Sequence, residues 1–411
     1  VVAGVATVEA ITNPDKMFTD AGINLLIGTV VRADAKRKVV GLSDGREIPY
    51  DKLLLAMGGR PLIPAIEGRQ LEGVFTLRRA RDATNIRSFL EQRNPRKLVF
   101  LGAGFINLEV ATLLGDANPG RYDVTVIELL GYPLPLMLDG DMAALVQTYL
   151  VEKGFNMKMD QRVTRILGGN GGVSGVELAS GETMDADMVL LAVGVKQNLE
   201  VATNLGVEIG KFGIRVNKFL ETSVPDVLAA GDCVEKFHFV TKKPLFGQLR
   251  GPAVIQGRLA AKRLAGYEIE FPGVLNTSAV KLFDKYIGSV GLTETEARRE
   301  GFEVITATVT SRSKHGMIPG VKPWTLKLIF DKKTHKVVGG QIVSDSHAPV
   351  KVIDTINALI FSEATIPKLT TLMCAGHPDC SSEPSLEPIT ICAEQALQKL
   401  RNQGGLARKG E

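Results

Sequence analysis

Four cysteines in 411 residues are too few for a disulfide framework, so the default compartment is a reducing one, the cytoplasm. No run is long and apolar enough to span a bilayer, and no basic segment leads into an apolar stretch at the start. Neither membrane insertion nor a leader peptide is expected from these residues. A charge excess of one sign is missing too: 49 Lys and Arg against 45 Asp and Glu leave +4, dispersed along the chain rather than gathered into a stripe. Nucleic acid is therefore not an expected partner. Repeats of solenoid period and low-complexity tracts are lacking, and the tail GGLARKGE reads as disordered. What is present is an ordinary globular composition, 45% hydrophobic and 23% charged, at a length that suits two or three domains.

The most informative segment is 97–128, KLVFLGAGFINLEVATLLGDANPGRYDVTVIE. Leu98, Val99, Phe100 and Leu101 form an apolar run without alternation, the pattern of a parallel strand covered on both faces. Gly102 and Gly104 then permit a tight turn and keep side chains away from the N-terminus of the next helix, whose unpaired N–H groups and dipole suit a pyrophosphate. Val124 to Ile127 read as the second strand, and Glu128 at its end is placed to accept from the ribose hydroxyls. A carboxylate there would repel a 2′-phosphate, which favours NADH over NADPH. The departure from the fingerprint is Asn107, where a third glycine is usual.

Around this unit, residues 24–58 read as strand-rich with a turn at Asp44-Gly45, and 78–94 as helical. Strands at 157–178 and 188–193 are expected to close the nucleotide domain. A helix is expected at 252–265, then antiparallel strands from 276 and a helix at about 350–362. Two segments, DKLLLAMGGRP at 51–61 and DMVLLAVGVKQN at 187–198, each run from a buried strand into small residues. Either alone could be a plain strand exit; together they suggest ligand contacts at the C-terminal ends of parallel strands. In TSVPDVLAAGDCVE at 222–235, Gly231-Asp232 ends a short strand, where an aspartate can accept from a sugar or ribityl hydroxyl.

Taken together these segments resemble the flavoprotein pyridine nucleotide–disulfide oxidoreductases, most of all the branch of NADH oxidases, NADH peroxidases, coenzyme A-disulfide reductases and persulfide reductases. The resemblance runs from Val1 to about residue 400. It implies an α/β chain with two Rossmann-like dinucleotide-binding domains, one for FAD and one for NAD, plus a C-terminal α+β dimerisation domain. The boundaries expected are 1–77 with 199–271 for FAD, 78–198 for NAD(H) and 272–411 for dimerisation. By resemblance Ala56-Met57-Gly58 lies against the FAD, with methionine for the usual threonine, Gly231-Asp232 holds the ribityl chain, and the helix bearing Gly257 and Arg258 points its N-terminus toward the flavin. Phe105 matches the aromatic that covers the flavin until nicotinamide displaces it, Glu109 the acid beside the nicotinamide, and Gly194-Val195 the segment along its ribose. The family's opening FAD unit and redox cysteine have no counterpart here. A βαβ unit needs at least roughly 30 residues, so the expectation is that Val1 lies inside a longer protein; otherwise FAD is not held in the family manner.

The stretch from Ser278 resembles the family's dimerisation domain, implying a homodimer. Coenzyme A-disulfide reductases carry tyrosines late in this domain, whereas no tyrosine follows Tyr286 here. Instead MCAGHPDCSSEP is similar to the His-Pro…Ser-Glu segment of lipoamide dehydrogenase and glutathione reductase, with one extra residue between His377 and Glu383. There the histidine is the base for the thiol and the glutamate poises it. Cys374 and Cys380 read either as a thiol pair or as inert cysteines. With His377 they also have metal-ligand character, but all three crowd one short loop without a fourth ligand, and no metal is expected. The function implied is a homodimeric enzyme in which NADH reduces FAD, which then reduces a small-molecule acceptor: a disulfide, persulfide, polysulfide, peroxide or dioxygen. The alternatives are a rubredoxin- or ferredoxin-type electron-transfer reductase without a redox cysteine, and a non-enzymatic flavin-sensing protein.

Overall fold

The unalternating run at 98–101 forms the middle of a parallel sheet. In the computed structural model, which describes residues 1–169 and 171–403, Lys97–Leu101 pairs with Asp123–Ile127 on one side and Met188–Leu191 on the other. Val74–Thr76 and Asn156–Lys158 complete the five strands, every pair parallel. The tail GGLARKGE lies outside the described residues. The strand at 188–191 is the last of this sheet in chain order, as expected, and it lies inside the sheet rather than at an edge. All four of its residues are buried, so it needs a neighbour on each side and sits between Val74–Thr76 and Lys97–Leu101. Of 157–178, only the start belongs to this sheet. The remainder, with its polar outer positions, folds into a separate antiparallel sheet of Val163–Gly169, Gly172–Leu178 and Thr183–Asp185.

Two compact units share the chain: Val1–Leu62, Arg78–Arg87 and Gly194–Val274 form one, and Ile63–Leu77, Ser88–Val193 and the chain from Leu275 onward form the other. In the first, Val30–Asp34, Val39–Leu42 and Glu47–Pro49 make an antiparallel meander, its last turn set by Gly45 at φ +90°. Leu53–Leu55 pairs in parallel with Val227–Ala229, Gly59–Pro61 pairs antiparallel with Val195–Gln197, and the helix Arg250–Leu264 follows. Leu55, Val227, Ala229, Ile214 and Val234 share its core.

The second unit adds to the parallel sheet a five-stranded antiparallel one, in the order Ser278–Leu282, Lys285–Gly291, Val337–Ser344, Pro323–Asp331, Val304–Arg312. The helix Val352–Phe361 approaches this sheet where side chains are missing. A Cβ on Gly288 would lie 2.7 Å from Ile353 Cγ1, and one on Gly340 would lie 3.0 Å from Ile356 Cγ2. A buried polar cluster ties the sheet to the helix Gly140–Glu152. Asp139, the N-cap residue of that helix, accepts from Gln341 Nε2 at 2.6 Å, from the Glu294 and Thr295 N–H groups at 2.9 and 3.0 Å, and from the Thr295 hydroxyl at 2.9 Å. Lys327 Nζ lies 3.3 Å from Asp139, 2.9 Å from Asp141 and 3.0 Å from Glu294. Among the described residues no helix is long and apolar enough to cross a membrane.

Candidate functional site

At the end of Lys97–Leu101 the backbone turns through Gly102 at φ +97°, where a Cβ would also meet the Ala192 carbonyl at 2.8 Å. Glycine is needed on both counts. Gly104 is the N-cap of the helix Phe105–Ala117, with no side-chain cap and open space where a Cβ would point, so the first-turn N–H groups face an unfilled cradle. Glu128 stands over this turn and is only 8% exposed. Its Oε2 accepts from the Ala103 N–H at 2.6 Å and its Oε1 from the Leu130 N–H at 2.9 Å. Each oxygen keeps a second lone pair for a ribose hydroxyl. The departure at Asn107 has a physical account: its buried Nδ2 donates to the Leu101 and Gly102 carbonyls at 2.7 and 2.8 Å, tying helix to strand where a third glycine would let them close up. Phe105 lies exposed on the first helical turn. Glu109, one turn on, is held above the usual carboxylate range by partial desolvation.

The other unit gathers a second set. Gly194, at φ +135°, accepts from the Leu62 N–H, and Val195 pairs with Pro61, so the Gly194-Val195 segment lies beside the strand that follows Ala56-Met57-Gly58. Asn198 Nδ2 donates to the Met57 carbonyl at 2.9 Å. Gly231, at φ +84°, begins a short 3-10 turn that presents Asp232. Arg78 bridges the two strand ends, donating to Asp232 at 2.8 Å and to the Gly59 carbonyl at 3.2 Å. From the helix Arg250–Leu264 it is Gln256 that reaches in, its Oε1 accepting the Gly231 N–H at 2.9 Å, while Gly257 and the exposed Arg258 sit in mid-helix. Lys236, buried behind the turn, donates to the Gly231 carbonyl at 2.8 Å. Burial pulls its ammonium below the ordinary lysine range, and the Asp232 carboxylate opposes that shift.

The loop at 374–383 corrects one expectation. Glu383 does not pair with His377 but lies 3.2 Å from His315 Nε2. The chain wraps on itself here, with the Cys380 and Ser381 N–H groups donating to the His377 carbonyl, and Glu383 lies against the segment whose His315 N–H donates to the Pro378 carbonyl. His377 Nδ1 accepts from the Asp379 N–H at 3.2 Å. All four cysteines are free, with Cys374 and Cys380 exposed and Cys233 and Cys392 buried. Burial raises both buried thiols, that of Cys392 to about 12. A thiol-alkylating reagent at neutral pH is therefore expected to label two cysteines per chain quickly, and rapid labelling of Cys392 by peptide mass would contradict this packing.

Residues 4–250 match the family described as pyridine nucleotide-disulphide oxidoreductase, and residues 277–387 match its dimerisation domain. The chain belongs to this family. An NADH oxidase of Methanocaldococcus jannaschii is 35% identical over 395 residues, which span 95% of this chain and 86% of the relative. An NAD(P)H coenzyme A polysulfide/persulfide reductase of Pyrococcus horikoshii is 34% identical over 369 residues, 87% of this chain and 81% of that one. Among solved structures, an NAD-dependent persulfide reductase from A. fulgidus superposes with a TM-score of 0.91 at 33% identity, covering 97% of this chain and 75% of that one.

As a pyridine nucleotide-disulphide oxidoreductase the chain is an FAD-dependent NAD(P)H oxidoreductase with the α/β fold and C-terminal dimerisation domain that its segments resemble. Its residues fit the two cofactors. Gly104 leaves a cradle for a nucleotide phosphate, Gly58 at φ +61° has only Arg78 nearby, and both amide atoms of Gln248, beside Gly59, are buried without a partner. Arg78, Gln256 and Lys236 carry no motif of their own and were not legible from the sequence; the one usable signal was a lysine directly following a run of strand and turn residues otherwise apolar or acidic.

Proposed function

We propose that this oxidoreductase draws electrons from NADH and delivers them to a sulfur–sulfur bond in a small acceptor, a disulfide, persulfide or polysulfide, with peroxide and dioxygen as the competing acceptor class. The likeness to the persulfide reductase over 97% of the chain carries the reading. When bound, NADH supplies a hydride and FAD takes it up as an electron pair for onward transfer. In this reading 78–198 holds the nucleotide, 1–77 with 199–271 the flavin, and 272–411 forms the dimer contact. Gly102, Gly104 and Glu128 fix the nucleotide, and Phe105 and Glu109 serve its nicotinamide end. Ala56, Met57, Gly58, Gly231 and Asp232 hold the flavin, assisted by the helix of Gly257 and Arg258. Under anaerobic conditions NADH should bleach the flavin of the full-length protein, and polysulfide or a disulfide should restore it. Recovery only on admitting air would refute the sulfur reading in favour of dioxygen.

His377 is the proposed proton-transfer group on the acceptor side. With Nδ1 accepting from Asp379, its neutral ring carries the proton on Nε2, arranged to protonate a leaving thiolate rather than to act first as a base. His377→Ala is expected to slow flavin reoxidation by a disulfide-type acceptor by about 10²-fold, the low end of general acid–base effects, with flavin reduction by NADH unchanged. Rapid mixing that finds both half-reactions within roughly threefold, about 0.7 kcal/mol, would make His377 a loop residue only.

The dimerisation-domain match supports a homodimer in which 272–411 packs on its partner. Sedimentation should give a dimer at micromolar concentration, and a monomer would rule this out. Four free cysteines support the cytoplasm as its place of action.

A further inference from the structure

Lys236 opens the strand Lys236–Phe237 just after the Gly231–Cys233 turn, and it is almost wholly buried, 1% exposed. Its Nζ donates to the Gly231 carbonyl at 2.8 Å and to the Val234 carbonyl at 3.4 Å, and it forms no ion pair among the described residues. Gly231 is thus held through both of the peptide links that flank it, its N–H donating to Gln256 Oε1 at 2.9 Å and its carbonyl accepting from Lys236. Gly231 also carries a φ of +84°, so its carbonyl has an orientation that an ordinary residue would rarely hold. The next residue is Asp232, 13% exposed at its side chain and paired with Arg78. A cation buried with only carbonyl partners is costly to keep. The same core position would accept methionine without that cost.

We propose that Lys236 is a positioning residue of the flavin site: its buried ammonium fixes the Gly231 carbonyl, which keeps Asp232 aimed at the ribityl hydroxyls, and its charge favours the reduced flavin. The proposal rests on Asp232 as the flavin-binding aspartate. The hydrogen bond sets the turn, and the charge acts in a low-dielectric surrounding where solvent screens it little. Two-electron reduction near neutral pH leaves a flavin with more negative charge, so a fixed cation nearby binds the reduced form more tightly than the oxidised form.

The test uses the full-length holoenzyme with Lys236→Met, Lys236→Gln and Asp232→Asn, measuring FAD dissociation and the flavin midpoint potential. Lys236→Met should weaken oxidised FAD binding about tenfold and reduced FAD binding about a further tenfold, moving the potential about 30 mV negative. Lys236→Gln keeps a donor for Gly231, so it should recover affinity for oxidised FAD while keeping the negative shift; it carries the test if the methionine variant does not fold. A variant that melts earlier but holds both affinities within twofold, about 9 mV, overturns the proposal and leaves Lys236 structural. Asp232→Asn separates the two readings, because FAD affinity unmoved in that variant would sink the assignment of Asp232 itself.

Discussion

Glu128→Ala is expected to remove most of the enzyme's preference for NADH and to lower its stability in the same stroke. Up to two charge-assisted hydrogen bonds to the ribose diol, each worth roughly 1.5–3 kcal/mol, are expected to favour NADH in the unmodified protein. NADPH would forfeit them and bring about −1.5 to −2 of charge against the carboxylate. A kcat/KM ratio of at least roughly tenfold, about 1.4 kcal/mol, follows. Arg121 cannot rescue the phosphate, since it precedes Asp123–Ile127 and is spent on Asn94 and the Leu90 carbonyl. The structure adds the second effect. Glu128 also accepts the Ala103 and Leu130 N–H groups, and alanine would leave the buried Ala103 donor unsatisfied, at about 1–3 kcal/mol. Glu128→Gln keeps a carbonyl for Ala103 but not the charge, so it should lose specificity while melting closer to the parent. Steady-state kinetics with both nucleotides and thermal melts decide the matter: equal use of NADH and NADPH by the unmodified enzyme would show that Glu128 serves the turn alone.

The same residue illustrates what was legible in the amino-acid pattern. The strand, turn, helix, strand and terminal acid of 97–128 are all local signals, and each lies where its period and glycines place it, from Lys97–Leu101 to Asp123–Ile127. Polar partners distant in sequence were not legible. Arg78 meets Asp232 across 154 positions, and Asp139 meets Gln341 across 202, with no periodicity linking either pair. A motif could even mislead. The His-Pro…Ser-Glu pattern suggested a His377–Glu383 pair, but Glu383 lies against His315, a partner 68 positions away that the motif does not contain. Asn107 was visible as an irregularity, yet its two bonds to strand carbonyls follow only from the way the helix sits.

Lys327→Ala should be the most destabilising single change away from the cofactor residues. The Lys327 side chain is 3% exposed and faces Asp139, Asp141 and Glu294; Glu294 also has Arg298, but Asp139 and Asp141 have no other cation among the described residues, so the loss of Lys327 strands their charge where the helix Gly140–Glu152 meets the antiparallel sheet. Breaking a buried pair from one side costs about 3–5 kcal/mol. The pH dependence follows from the shifts. Hydrogen bonds from Thr295, Glu294 and Gln341 and the charge of Lys327 together outweigh burial and hold Asp139 below its ordinary 3.8. For Glu294, bonds from Arg298 and Lys327 likewise outweigh burial and hold it below its ordinary 4.5. For Lys327, its carboxylate partners outweigh burial and raise it above 10.5. Stability from the two acids is therefore present above about pH 4.5 and lost as the pH falls through their depressed folded values. That from the lysine is present below 10.5 and lost as the pH rises through its raised folded value. In the alanine variant the unpaired carboxylates gain from protonation, so the gap in urea midpoints between parent and variant should be widest and flat near neutral pH and should narrow below about pH 4.5. A gap below about 1 kcal/mol at neutral pH, within the range of exposed ion pairs, or one that widens on acidification, would mean that the cluster is hydrated and that Lys327 does not bind the helix to the sheet.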